Sequence, residues 1–177
     1  MTAPQRAEFT AAGMGARVVA LVGALAAVLA MSMPWASEDN TGVAETGEVL
    51  LMRGGVEWTG WGIYGASRLD GHRPVSLTVA MILIAGTVAL ALAAWVAFER
   101  TRRRWLPPAT AAAAVIMLIV SFPGLEGVNG RFGTGHITTT EFGIVVWRLA
   151  VTAVALGSIR LALLQEEAAQ PLRHDAA

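Results

Sequence analysis

Four stretches of this chain are too long and too apolar for ordinary strands or surface helices. They run from Val18 to Trp35, Val75 to Phe98, Pro107 to Leu125 and Phe142 to Leu164. A hydrocarbon layer about 30 Å thick is crossed by about 20 apolar residues rising 1.5 Å each. A helix is the simplest way to carry that backbone through lipid, because its N–H and C=O groups satisfy one another. The second stretch, VSLTVAMILIAGTVALALAAWVAF, is the strongest. The third is shorter and alanine-rich. It opens on Pro107 and Pro108, which suit a first helical turn where a missing N–H costs little. Pro123 and Gly124 predict its end. Only 15% of the residues are charged, against about 25% in soluble domains. The fold class expected is therefore an all-α membrane protein, a bundle of four transmembrane helices.

The arginines orient it. All basic residues are arginine, and with the many alanines and glycines this composition has the look of a GC-rich bacterial genome. Arg100, Arg102, Arg103 and Arg104 fall in one short segment between the second and third stretches. The excess of positive charge marks the cytoplasmic side. The expected order is a cytoplasmic N-terminus (1–17), a span (18–35), an external loop (36–74) and a second span (75–98). There follow a basic cytoplasmic loop (99–106), a third span (107–125), an external loop (126–141), a fourth span (142–164) and a cytoplasmic tail (165–177). Arg6 and Arg17 ahead of the first span agree with this. So does the acidic first external loop, with Glu38, Asp39, Glu45, Glu48, Glu57 and Asp70. The first span is long for the apolar core of a signal peptide, and MPWASED offers no clean cleavage site, so it is expected to be retained.

The external loops carry β-forming sequence. GEVLLMRGGVEWTGWGIYG predicts a hairpin with arms Val49–Arg53 and Val56–Trp61 around a Gly54-Gly55 turn. Ile137–Thr140 is β-branched and is expected to add a strand to it, giving a small β-containing extracytoplasmic cap. Trp58, Trp61 and Tyr64 are spaced so that they need not share one face of a strand. Their expected roles are to cap the helices or sit at head-group level, with a ligand- or partner-binding surface as the other reading. GRFGTG in the second loop is not a phosphate loop, since it lacks the Gly-Lys-Ser/Thr ending.

Ionisable groups inside a membrane are the usual pointer to function. The first three spans contain none. The fourth contains Arg160, near enough to its inner end to snorkel, and Arg148, one to two turns inside the outer boundary. A guanidinium at such depth costs up to about 2.5–3.5 kcal/mol unless satisfied. Glu141, two turns earlier on the same face, Glu126, a loop carbonyl or an anionic substrate are the partners expected for it. Close packing is also written in the sequence. Gly23 with Ala27, and Ala153 with Gly157, have the small-xxx-small spacing that lets backbones approach in lipid. That spacing fits packing within the chain and packing between two chains equally.

What is missing narrows the chemistry. The chain has no cysteine, which removes thiol catalysis, disulfide exchange and Cys-ligated metal. The spans hold no histidine for haem, no carboxylate for proton coupling, and no His at the depth of Ser32, Ser121 or Ser158 to make a nucleophile. His72, His136 and His174 have no spacing that argues for a metal. No cofactor and no metal is expected, and a net charge of zero gives no case for nucleic acid.

MPWAS after the first span, EWTGWGIYG, and Asp70-Gly71 before the second resemble a pattern in small four-span membrane proteins of actinobacteria. The resemblance rests on Pro34-Trp35, Gly60-Trp61, Asp70-Gly71 and the topology. It implies a fold and brings no activity with it. The topology is also similar to that of claudin-like proteins, whose paired loop cysteines are missing here. The role expected is a non-enzymatic accessory or scaffold subunit of a bacterial plasma membrane. Its partners would be the lipid bilayer and other membrane proteins or further copies of itself. The alternative is a small-solute or lipid transport component with Arg148 as an anion contact. Residues singled out are Arg148, Glu141, Glu126, Trp58 and Trp61.

Overall fold

The computed structural model describes residues 11–43, 49–65, 73–99, 103–126 and 136–167. In chain order the elements are helix α1 (Ala11–Ala30), strands β1 (Pro34–Val43) and β2 (Val49–Thr59), helices α2 (Leu77–Glu99) and α3 (Leu106–Glu126), strand β3 (His136–Thr140) and helix α4 (Phe142–Glu167). Helices α1, α2 and α4 are each long and apolar enough to cross a membrane, and α3 carries a shorter apolar run, Leu106–Phe122.

The helix ends follow local chemistry. Helix α1 begins and stops earlier than the apolar stretch suggests. Its last turn tightens as Ser32 and Met33 donate to the carbonyls of Leu29 and Ala30. Pro34 then forbids continuation, since the residue before a proline is pushed towards extended backbone. Pro34 and Trp35 thus open a strand rather than close a span. Ser76 caps α2, its Oγ accepting from the Val79 N–H at 3.3 Å. Helix α3 does not stop at Pro123; it runs to Glu126.

The three strands form one antiparallel sheet in the order β2-β1-β3. Strand β1 pairs with β2 from Pro34↔Thr59 to Val43↔Val49, and with β3 from Ala36↔Thr140 to Asn40↔His136. The strand expected at Ile137–Thr140 is therefore present. The hairpin expected around Gly54-Gly55 is not. Strand β2 runs straight through those glycines, and its partner is β1. The register slips there: Glu38 pairs with Val56 but Asn40 with Met52, so Arg53, Gly54 and Gly55 face a single residue, Asp39. Glycine accommodates such an irregularity as readily as a turn.

Helix α1 packs most extensively on α4, α4 also on α3, and α2 on both α1 and α3. The residue pattern is inverted relative to a water-soluble core. In α1 the buried apolar side chains are Ala16, Ala20, Ala24, Ala27 and Ala30, while Val18, Val19, Val22, Leu25 and Leu29 face outwards. Helices α2, α3 and α4 likewise present Leu92, Ile116, Ile119, Leu149 and Leu156 to the outside. Apolar surface on this scale marks a lipid or protein contact. Small residues inside and large ones outside is what helix association in lipid requires, because packing rather than hydrophobicity drives it. The two small-residue pairs meet inside the chain. A Cβ at Gly23 would lie 2.8 Å from the Ala150 carbonyl oxygen, and one at Gly157 2.7 Å from the Ala16 oxygen and the Ala20 nitrogen.

Candidate functional site

The polar and aromatic residues that matter converge where the sheet meets the helices. Trp35, the second residue of β1, is fully buried. Its indole donates back to the Ala30 carbonyl at 2.8 Å, which also accepts from the Met33 N–H at the end of α1. Its ring meets that of Trp147 on α4 edge-on, with centroids 5.4 Å apart and planes at 62°. Trp147 is also fully buried, and its indole donates to Thr87 Oγ1 on α2 at 3.0 Å. Thr87 passes its own proton to the Leu83 carbonyl at 2.7 Å. One chain of contacts thus ties α1, β1, α4 and α2 together, and every buried donor in it has an acceptor.

Around this pair the backbones come close. A Cβ on Gly60 would sit 2.7 Å from the Trp35 ring and 2.9 Å from Met31 Cα. A Cβ on Gly143 would collide with the Pro34 carbonyl and lie 2.7 Å from Trp35 Cδ1. Glycine is needed at both places because the sheet and the start of α4 press directly on the α1–β1 turn. The Glu141 N–H donates to the Trp35 carbonyl at 2.9 Å, and Ser37 Oγ donates to Glu141 Oε1 at 2.5 Å. Glu141 immediately precedes α4, where a carboxylate also complements the helix dipole.

Of the two tryptophans singled out in β2 and the turn after it, Trp58 is buried beneath the sheet, its ring nitrogen against Gly65. Trp61 is half-buried and donates to Ser32 Oγ at 3.2 Å, while its N–H donates to the Met31 carbonyl. Trp61 thus ties the turn after β2 to the end of α1. Tyr64 is exposed.

Arg148 lies half-buried between α3 and α4. Its Nε donates to Ser121 Oγ at 3.2 Å and its Nη2 to the Ser121 carbonyl at 2.8 Å. Its guanidinium stacks on Phe122, 3.9 Å from the ring centroid. These contacts come from the neighbouring helix rather than from a loop. Ser121 is fully buried and donates to the Leu118 carbonyl at 2.7 Å, so its hydroxyl is available to Arg148 only as an acceptor. Glu126 is the last residue of α3, and its side chain lies outside the described residues.

Sequence reasoning overlooked Trp147, Thr87 and Met31, and weighed Ser121 only as a nucleophile. It also placed Arg17 ahead of the first span, whereas Arg17 lies within α1 and is 5% exposed. Among the described residues no group of three or more His, Asp or Glu side chains is placed to hold a metal. His136 opens β3, and His72 and His174 lie outside the described residues. No family model and no curated protein matches the chain.

Proposed function

We propose that the chain is a four-span plasma-membrane protein with cytoplasmic termini, and that its sheet is an extracytoplasmic cap serving as the docking platform of a non-enzymatic accessory or scaffold subunit. The observation that carries this reading is the Trp35–Trp147 contact. A loop that only connected two spans would have no need of a buried aromatic pair, two glycine contacts and the Ser37–Glu141 bond to hold it against the helices. Such fixing makes sense for a surface that a partner must recognise, since a preordered surface loses little entropy on binding. The hydroxyls at the junction are used in structural bonds, which fits a platform better than a reaction centre.

The test is affinity purification in mild detergent, comparing wild type with Glu57→Arg on an exposed position of β2 and Tyr64→Ala on an exposed position after it. The expected result is a co-purifying membrane protein, or a second copy, that is lost in these variants while the chain stays folded. A chain that purifies alone, and moves an anion or lipid in proteoliposomes only while Arg148 is intact, would favour the transport reading instead.

A further inference from the structure

We propose that the root of the sheet is seated in the phospholipid head-group layer of the leaflet on its side. Lipid head groups are then the partner of the sheet's lower end, and the strands above it are left to a partner protein. This rests on the reading that α2 and α4 cross the bilayer.

The three strands share one root. Strand β1 begins there and β2 and β3 end there, with Pro34 paired to Thr59 and Ala36 to Thr140. Its level can be counted along α4. The exposed apolar residues Phe142, Val145, Leu149, Leu156, Ile159 and Leu163 extend over about 32 Å, close to a hydrocarbon layer of about 30 Å. Phe142 therefore stands at one edge of that layer. The Glu141 N–H donates to the Trp35 carbonyl at 2.9 Å, and a Cβ on Gly143 would collide with the Pro34 carbonyl. Strand β1 thus opens at the same edge.

A count along α2 agrees. Its exposed apolar residues run from Leu77 to Trp95, about 27 Å. Thr87 lies about 15 Å along from Leu77. A hydrogen bond of 3.0 Å to Trp147 and a ring spacing of 5.4 Å link Thr87 to Trp35. That path is too short to regain the level of Leu77. The Trp35 ring therefore lies in the hydrocarbon, and its backbone reaches the edge.

The chemistry of the root suits this level. Trp35, Ala36 and Ile63 are fully buried, and Gly60 and Gly143 are buried. The Trp61 N–H donates to the Met31 carbonyl, and the Trp35 indole to that of Ala30. Backbone at the edge of hydrocarbon has to be covered and satisfied in this way. Exposed side chains change character at the same level, with Phe142 below and Thr140 and Glu57 above.

The experiment places single spin labels on the full chain in phosphatidylcholine vesicles, which the absence of cysteine permits. The sites are Leu149→Cys, Phe142→Cys, Thr140→Cys and Glu57→Cys, all at exposed positions. Depth is read from relaxation by oxygen, which concentrates in hydrocarbon, against a water-soluble nickel chelate. The label of Phe142→Cys is expected at the hydrocarbon edge and that of Leu149→Cys about 10 Å deeper. Thr140→Cys should report the head-group layer, and Glu57→Cys water. Nickel access at Phe142→Cys and Thr140→Cys equal to that at Glu57→Cys would overturn the proposal, because the root would stand clear of the membrane. Low access of both probes at those two sites would mean that protein covers the root, and would overturn it as well. Should Phe142→Cys not fold, Val145→Cys is expected about 4–5 Å inside the edge, and full nickel access there would overturn the proposal. Full nickel access at both Leu149→Cys and Leu92→Cys would instead refute the spanning reading.

Discussion

Two contacts hold this molecule together, and they are opposites. The α1–α4 seam works by removing side chains: Gly23 faces the backbone of Ala150 and Val154, and Gly157 faces that of Ala16 and Ala20. The junction between sheet and helices works by adding them: Trp35, Trp147 and Thr87 fill the space and satisfy one another's donors. The seam needs smallness alone, so any residue larger than glycine is wrong at Gly23 and Gly157. The junction needs volume and a polar terminus at the same spot, so shape and hydrogen bonding are separable by mutation. In lipid, where burial of apolar surface gives helices no drive to associate, both are packing solutions. They differ in how steeply they fail.

The steepest failure is expected at the junction. Trp147→Ala and Trp35→Ala each empty a fully buried site and should cost about 3–5 kcal/mol, read as lowered thermal stability in detergent. They should also expose residues 49–65 to protease on intact protoplasts, because the sheet loses its anchor. Loss of helix stability with the sheet still protected would break the link drawn between them.

At the seam, Gly157→Val and Gly23→Val should cost about 1–3 kcal/mol or more through overpacking. Their signature differs: helix packing is disturbed while the sheet stays protease-resistant. Wild-type stability in both would mean that the backbones are not in close approach.

Smaller effects separate polar from steric contributions. Arg148→Leu removes the donors that Ser121 receives and should cost about 1–2 kcal/mol, near the top of the range for polar contacts between helices in lipid. It is best measured beside Glu141→Gln and Glu126→Gln, since wild-type stability in all three would remove a structural role for these groups. Trp147→Phe keeps most of the ring and loses only the bond to Thr87. A loss of about 0.6 kcal/mol is expected, and a loss as large as that of Trp147→Ala would show that the hydrogen bond, not the volume, governs the junction.

The sequence was most readable where local patterns suffice. The helices follow from apolar runs, and β3 from its run of Ile and Thr. Strand β1 was invisible because PWASEDNTGV has little β preference; it is a strand because β2 and β3 flank it on both sides, a non-local cause. Gly54-Gly55 was misread because glycine permits both a turn and a register slip, and only the pairing with Asp39's neighbours decides between them. Arg17 passed as a flanking charge because nothing local signals that α1 begins before it. The Trp35–Trp147 pair joins residues far apart in the chain, and hydropathy treats each as one more apolar residue. For Arg148, the need of a partner was legible, but Ser121 was not, because serine on an apolar helix has no distinctive spacing.

In the proposed topology the sheet stands outside the membrane and the arginine-rich segment inside. The chain has no cysteine, so single cysteines at Thr46, between β1 and β2, and at Thr101, between α2 and α3, can be read without background. On intact cells an impermeant thiol reagent is expected to label Thr46→Cys at once and Thr101→Cys only after permeabilisation. Labelling of Thr101→Cys on intact cells with Thr46→Cys protected would invert the topology and contradict the account.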